Sequence, residues 1–226
     1  RSDYSSTFSS TTAASNSIFE LVQLTNDNNS INGLASIYRK GQSNVGYGDI
    51  QVLNQFISDA GFDSDDIRSS TSMIDFDFGS TTRLVNVGKY PTMAAGNYSD
   101  NIKIIRYEEV VLNYAESLLD TNPTEALNQL NRIVNNREST PNLYTVATLD
   151  NILKERRKEL CFEGHRYMDI KRLGVAANKS IDRNITDDLI LSLPTTIPNN
   201  DHRFTLPIPQ DEIAGNPTIQ QNPGYN

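Results

Sequence analysis

Tryptophan is absent from this chain of 226 residues, cysteine occurs once and histidine twice. A single cysteine rules out an internal disulfide framework and any Cys-x-x-Cys or four-ligand zinc pattern. Cys161 lies between Leu160 and Phe162, where a thiol packs as a small apolar group and does not serve as a nucleophile. His165 and His202 are too far apart in sequence for helical or hairpin pairing, so no metal site is expected. No apolar stretch approaches the roughly 18 residues that cross a bilayer as a helix. Positive charge is short as well: 20 Lys and Arg stand against 28 Asp and Glu, for a net charge of −8. That balance argues against nucleic acid as a partner, because phosphates call for basic patches.

Catalytic patterns are missing too. There is no Gly-x-Ser-x-Gly elbow, and Gly46-Tyr47-Gly48 is too short for a phosphate loop and is not followed by a lysine. Glu155, Glu159 and Glu163 line up four apart, and three like charges on one helix side could raise one another's pKa into the range of a general acid. Arg156, Arg157, Lys158, Arg166 and Lys171 surround them, however, and exposed pairs at this spacing stabilise a helix by about 0.2–0.5 kcal/mol each. The expectation is a charge network without catalysis, an enzyme activity is not expected, and no cofactor is implied.

What the chain does contain is organised unevenly. Residues 1–15 are rich in Ser, Thr and Ala and read as a tail or linker. Ser17 to Leu24 alternates like a short strand, and Asn26 to Gly48 is an Asn-, Ser- and Gly-rich loop. A short helix is expected over Ile50–Ala60 ending at Gly61, and one or two strands between Met73 and Tyr90. From Asn101 the period becomes helical: Ile104, Ile105, Val111, Leu112, Ala115, Leu118 and Leu119 form one apolar stripe. Asn122, Pro123 and Glu125 give the next helix its cap, first residue and third-position acid, with Ala126, Leu127, Leu130, Ile133 and Val134 as its buried face. The short connection makes these two helices antiparallel neighbours, and Ala115 and Ala126 let them approach closely. Thr148 caps a third long helix. Six of nine prolines fall between Asp187 and Asn226, so that segment is expected to run extended over the surface.

Along Lys154–Arg172 the apolar stripe Leu149, Leu153, Leu160, Tyr167 also carries Arg156 and Glu163. Charges on a core-facing stripe are costly unless paired, so each is expected to have a fixed partner and the segment to act as a wiring point between helices. Tyr114 and Tyr167 are expected in the core.

These residues carry a resemblance. Glu155, Arg156, Glu159, Leu160, Phe162, Glu163, Gly164, Arg166, Asp169 and Arg172 resemble the E-R-x-x-E-L-x-F-E-G-x-R-x-x-D-x-x-R signature of the SusD/RagB family, the surface nutrient-binding lipoproteins of Bacteroidetes. Arg106, Tyr107, Glu109, Leu112, Ala115 and Glu116 resemble the family's R-Y-x-E-x-x-L-x-x-A-E helix. Pro207-Ile208-Pro209, Glu212, Asn216-Pro217 and Gln221-Asn222-Pro223-Gly224-Tyr225 resemble its closing block, and Asp66-Ile67-Arg68 resembles a recurrent D-x-R element. Three ordered blocks are far harder to meet by chance than one. After Ile133 the usual V-R-x-R-A pattern gives way to Val134-Asn135-Asn136-Arg137-Glu138, and only Asn131 and Arg137 map onto it.

The resemblance implies a mainly α fold, a tetratricopeptide-like helical-repeat scaffold with long loops and a few short strands. Residues 1–100 would be a loop-rich segment packed on the helices and residues 101–226 the helical region with its Pro-rich tail, together one structural domain. It further implies that the chain is the C-terminal part of a longer precursor, held at the outer membrane on the cell surface by a lipid on an N-terminal cysteine outside these residues. The implied function is capture of an extracellular oligosaccharide, without catalysis, and delivery to a SusC-like TonB-dependent outer-membrane transporter over which the protein hinges as a lid. In such a fold the signature helices are scaffold and the ligand meets loops. Sugars are held by aromatic faces and planar polar groups. Tyr38, Arg39, Asn44 and Tyr47, in a loop with Asn28, Asn29, Asn32 and Gln42, supply both and are the candidate ligand-binding residues; the alternative is that these tyrosines are half-buried staples of the loop. Two other functions stay open: peptide binding within the same family, which the lack of Trp permits, and a helical-repeat scaffold for protein partners.

Overall fold

The computed structural model describes residues 4–9, 14, 16–53, 55–182 and 195–225. The fold is mainly α, with long loops and short strands, and the chain divides into two compact units, Arg1–His165 and Arg166–Asn226.

The first unit opens with α1 (Ser6–Ser9), β1 (Ser17–Leu21), α2 (Leu34–Tyr38) and α3 (Phe56–Ala60), then β2 (Ile74–Phe76) and β3 (Leu84–Asn86). It continues through β4 (Ile102–Arg106) into α4 (Tyr107–Ser117), α5 (Pro123–Asn135) and α6 (Leu149–Glu159). β1 pairs antiparallel with β4, and β2 with β3. Ile104 and Ile105, expected on the first long helix, lie instead in β4: the β-branched run Ile102–Ile105 is a poor helix start and a good partner for β1, and helix begins only at Tyr107. The short helix near residue 50 is also briefer than expected, because Val52 lies outside it and donates its amide to Leu84 O at 2.8 Å; α3 then stops at Gly61, left-handed at φ +72°.

Helices α4, α5 and α6 share one core, in which Val111, Leu112, Ala115, Leu130, Ile133 and Ile152 are buried. The start signals act as read. Asn122 Oδ1 accepts the Glu125 amide at 3.2 Å with Pro123 as first helical residue, and Thr148 Oγ1 accepts the Asn151 amide at 3.1 Å. The Glu125 carboxylate does not reach back to its cap; it accepts Asn128 and Gln129 on its own helix. Ala115 and Ala126 are both fully buried. Tyr114 is 49% exposed, contrary to expectation, because α4 spends its buried stripe on Val111, Leu112 and Ala115, one step away.

A second cluster joins Tyr4 and Phe8 to Val52, Met73 and Ile74. The N-terminal residues read as a tail thus contribute two buried rings, and both rings face cations. A third cluster of Ala35, Tyr90 and Met93, with Tyr38, Val45 and Tyr98 against it, underlies the loop after α2.

Lys154–Arg172 is not one helix. α6 ends at Glu159, Phe162 and Gly164 take φ of +63° and +85°, and α7 (His165–Ala177) follows. A Cβ added at Gly164 would meet nothing within 4 Å, so its requirement is the backbone angle alone. In the second unit, α7 is followed by the ribbon of β5 (Ile181–Asp182) and β6 (Thr196–Ile197) and by α8 (Gln210–Gly215). Tyr167, expected in the core, is 37% exposed; its ring packs on Phe204 at 5.4 Å and its hydroxyl donates to Phe204 O at 3.2 Å. The proline-rich tail is not simply extended. It contains a 3-10 turn at His202–Phe204 and α8, and Gln221 clamps Ile208 by accepting its amide at 2.8 Å and donating to its carbonyl at 2.9 Å. The part of that segment at 187–194 lies outside the described residues.

Candidate functional site

The signature acids gather in the first unit, in a buried ionic lattice. Glu159 is the hub: its carboxylate accepts Arg68 Nη1 at 3.1 Å, Arg106 Nη1 at 3.1 Å, and both Arg137 Nε at 2.9 Å and Arg137 Nη2 at 3.0 Å. Glu155 accepts the same Arg68 nitrogen at 2.6 Å and faces Lys158 Nζ at 3.0 Å. Glu163 pairs with Arg106 through Nε at 2.7 Å and with Lys89. Asp66 grips Arg68 from its own turn, and Glu108 ties Arg106 to Arg137. Tyr4 and Phe8 close the top, with Arg137 4.5 Å from the Tyr4 ring centre and Lys89 and Arg106 at 5.2 and 5.4 Å from that of Phe8.

This corrects the reading of Glu155, Glu159 and Glu163 as exposed i to i+4 pairs. Glu155 and Glu159 have no exposed surface, and their main partners come from other elements up to 91 residues away. Burial alone would push the Glu159 carboxyl up, but Arg137, Arg106 and Arg68 outweigh it and hold it well below its usual range. Arg68 prevails in the same way at Glu155, and Arg106 at Glu163. Carboxylates held ionised by guanidinium groups are poor proton donors, so the lattice has the character of a structural joint. Burial pushes the Cys161 thiol up, away from the thiolate a nucleophile needs.

The other signature residues play separate local parts. Arg156 is buried and donates to Asn113 Oδ1 at 2.6 Å, and Glu109 Oε1 stands 3.7 Å from His165 Nδ1. In the second unit Asp169 is buried against Arg172, with Oδ1 2.9 Å from Nη2, and Arg166 is half-buried.

The candidate ligand loop follows α2. Its backbone is held close to its support: a Cβ on Gly41 would lie 2.0 Å from Met93 O, and one on Gly46, itself at φ +89°, 2.7 Å from Arg39 O. Ser36 O accepts the amides of Tyr47 at 2.9 Å and Gly48 at 2.8 Å, and Asp77 Oδ1 accepts that of Lys40 at 3.0 Å. The support is held in turn by Asp100, which accepts the Thr92 amide at 2.8 Å and that of Met93 at 3.2 Å. Burial pushes the Asp100 carboxyl up to about 6 despite these bonds.

The four candidate residues do not converge. Tyr38 is half-buried, stacked on Tyr90 at 5.0 Å and 8° and edge-on to Phe162 at 5.9 Å, which makes it a staple of the loop. Arg39 turns inward and donates Nη1 to Val87 O at 2.9 Å and Tyr90 O at 3.2 Å. Asn44 is exposed at φ +57°, and Tyr47 shows 46% of its surface. Tyr38 also lines a cleft of about 110 Å³ with Phe8, Tyr90, Phe162, Lys89 and Lys103, a set absent from the sequence reading. Phe162 stood inside a recognisable motif, as did Glu163 and Gly164, which also line the cleft; the rest come together through the fold. Among the described residues no group of His, Cys, Asp and Glu is arranged to hold a metal ion.

A family model described as the SusD family matches residues 7–225. Among solved structures, a SusD superfamily protein from Bacteroides thetaiotaomicron is 30% identical with a TM-score of 0.81, covering 98% of this chain and 51% of its own. Another, from Bacteroides vulgatus, is 26% identical with a TM-score of 0.80 over 100% of this chain and 50% of its own. Surface glycan-binding protein A from Bacteroides fluxus is 25% identical with a TM-score of 0.75, over 100% and 54%. The chain therefore spans about half the length of the structures it matches. A search of curated proteins finds no match.

Proposed function

This chain belongs to the SusD family, and from that premise we propose that it forms part of a cell-surface protein that binds glycan without transforming it. The likeness to a surface glycan-binding protein supports the ligand class. The observation that carries the reading is Tyr47: its ring is open to solvent while its backbone is locked on the buried Ser36, on the same loop as the exposed Asn44. An exposed aromatic face and a planar hydrogen-bonding group on one anchored loop suit the apolar face and hydroxyls of a sugar, and little ordering of the backbone is needed on binding. Arg39 and Tyr38 act from behind, anchoring the loop. The ionic lattice serves to fix the platform on which the loop is mounted, and catalysis is not part of the proposal.

Delivery of the captured glycan to a TonB-dependent outer-membrane transporter, and attachment to the membrane by a lipid, belong to the same proposal and rest on family membership alone. A glycan array run beside a peptide library tests the ligand class. Binding of neutral oligosaccharides, weakened about tenfold by Tyr47→Ala, equivalent to about 1.4 kcal/mol, is the expected result. Selective binding of peptides would replace the reading with a peptide receptor, and binding of neither, with capture of a partner protein, would replace it with a scaffold.

A further inference from the structure

The connection between α5 and α6 folds over a second hollow, of about 280 Å³. Asp63, Asn142, Tyr144, Asn151, Lys154 and Lys158 line it. We infer that this hollow is a second glycan position, one that takes a single neutral sugar unit.

Three observations converge on it. The first is size: at about 280 Å³ the hollow sits at the bottom of the range for drug-sized ligands, about 300–1,000 Å³, which leaves room for one ring and not an extended chain. The second is rigidity. Asn131 clamps Tyr144 through both backbone groups, accepting its amide and donating to its carbonyl, each at 2.9 Å. The Tyr144 hydroxyl donates to Glu155 at 3.1 Å, so the ring is fixed to the lattice itself. Glu138 accepts the Asn142 amide at 2.8 Å, and Asn151 donates to Val146 O at 2.9 Å. A wall held this way loses little freedom when a ligand enters.

The third is chemistry. The backbone of Asn142 is held while its side chain is exposed, and Lys154 stands on the outer face of α6. Asp63 adds an acceptor and Tyr144 an aromatic body. Opposite charges at the rim and amides between them match a ligand rich in hydroxyls, which can donate and accept at once, better than an ion of either sign. Lys158 at the back is already engaged with Glu155, and it gives the hollow no unspent charge for an anion.

This inference rests on the glycan-binding reading, and amide chemical shifts separate the two. The chain is titrated with glucose, galactose, mannose and xylose, and with hexasaccharides of glucose, while the amides of residues 142–154 and 38–48 are followed. Shifts at residues 142–154 with at least one monosaccharide, weakened about tenfold by Asn142→Ala or by Lys154→Ala with folding unchanged, are expected. Shifts confined to residues 38–48 would overturn the second position and leave the proposed function intact. Shifts confined to residues 142–154 would support it while removing the loop assignment. Silence at both sets would overturn both.

Discussion

Arg137 meets Glu159 side-on, Nε and Nη2 of the guanidinium to the two carboxylate oxygens at 2.9 and 3.0 Å. This fork, like those of Arg68 on Asp66 and Arg106 on Glu163, is a constrained link of the lattice, since a planar donor pair fits a carboxylate in few orientations. Glu159 also serves Arg68 and Arg106, so Glu159→Ala would leave three buried cations short of their shared partner. The expected loss is about 3–5 kcal/mol of stability in a urea titration. A loss under about 1 kcal/mol, the worth of a solvated surface pair, would show that the lattice is wet.

Acid should attack the same place. Glu155, Glu159 and Glu163 are held below the ordinary glutamate value of 4.5 in the folded chain. A lowered folded pKa contributes stability that is complete above the unfolded value and is lost as pH falls through the folded one. Urea midpoints are therefore expected to fall steeply below about pH 4.5, because protonation leaves Arg68, Arg106 and Arg137 facing one another. A flat profile to pH 3 would contradict this.

Asp100 works with the opposite sign. Its folded value of about 6 lies above the ordinary 3.8, so its contribution is complete below 3.8 and is lost as pH rises through 6. A carboxyl carbon resonance titrating near pH 6 is expected for this residue. In Asp100→Asn the stability change across that window should vanish, even though the amide supplies one acceptor where the carboxylate supplied two.

Gly41→Ala tests the seating of the ligand loop. The new methyl would meet Met93 O at 2.0 Å and Gly96 N at 2.8 Å, both backbone atoms, so loop or support must move. Overpacking of this kind costs about 1–3 kcal/mol. Glycan affinity should drop with it, since Tyr47 rides on the displaced segment. Gly79→Ala is a contrast in space, with nothing near its Cβ position, although its φ of +73° adds strain.

The helical scaffold was largely legible because its signals are local. Asn122 before Pro123, Thr148 before α6, and the periodic apolar faces of α4 and α5 act within a few residues, which is the range over which sequence spacing carries geometry. The need for partners at Glu163 was legible for the same reason, but Lys89 as one of them was not: the pair is 74 residues apart. Tyr4 and Phe8 were hidden among Ser and Thr, since nothing nearby shows that two rings will settle on distant cations. Tyr38 and Tyr47 look alike in sequence, yet one is stacked inside and the other open, a difference set by Tyr90 and Phe162 arriving from elsewhere.

Because each arginine of the buried joint answers to more than one acid, no lone codon change can leave it without stranding a charge. A lineage can alter this joint only by replacing several residues together, whereas Tyr47 and Asn44 lie outside its bonding and can be exchanged one at a time. Descendants of this chain should thus explore new ligands through the loops long before they rewire the centre.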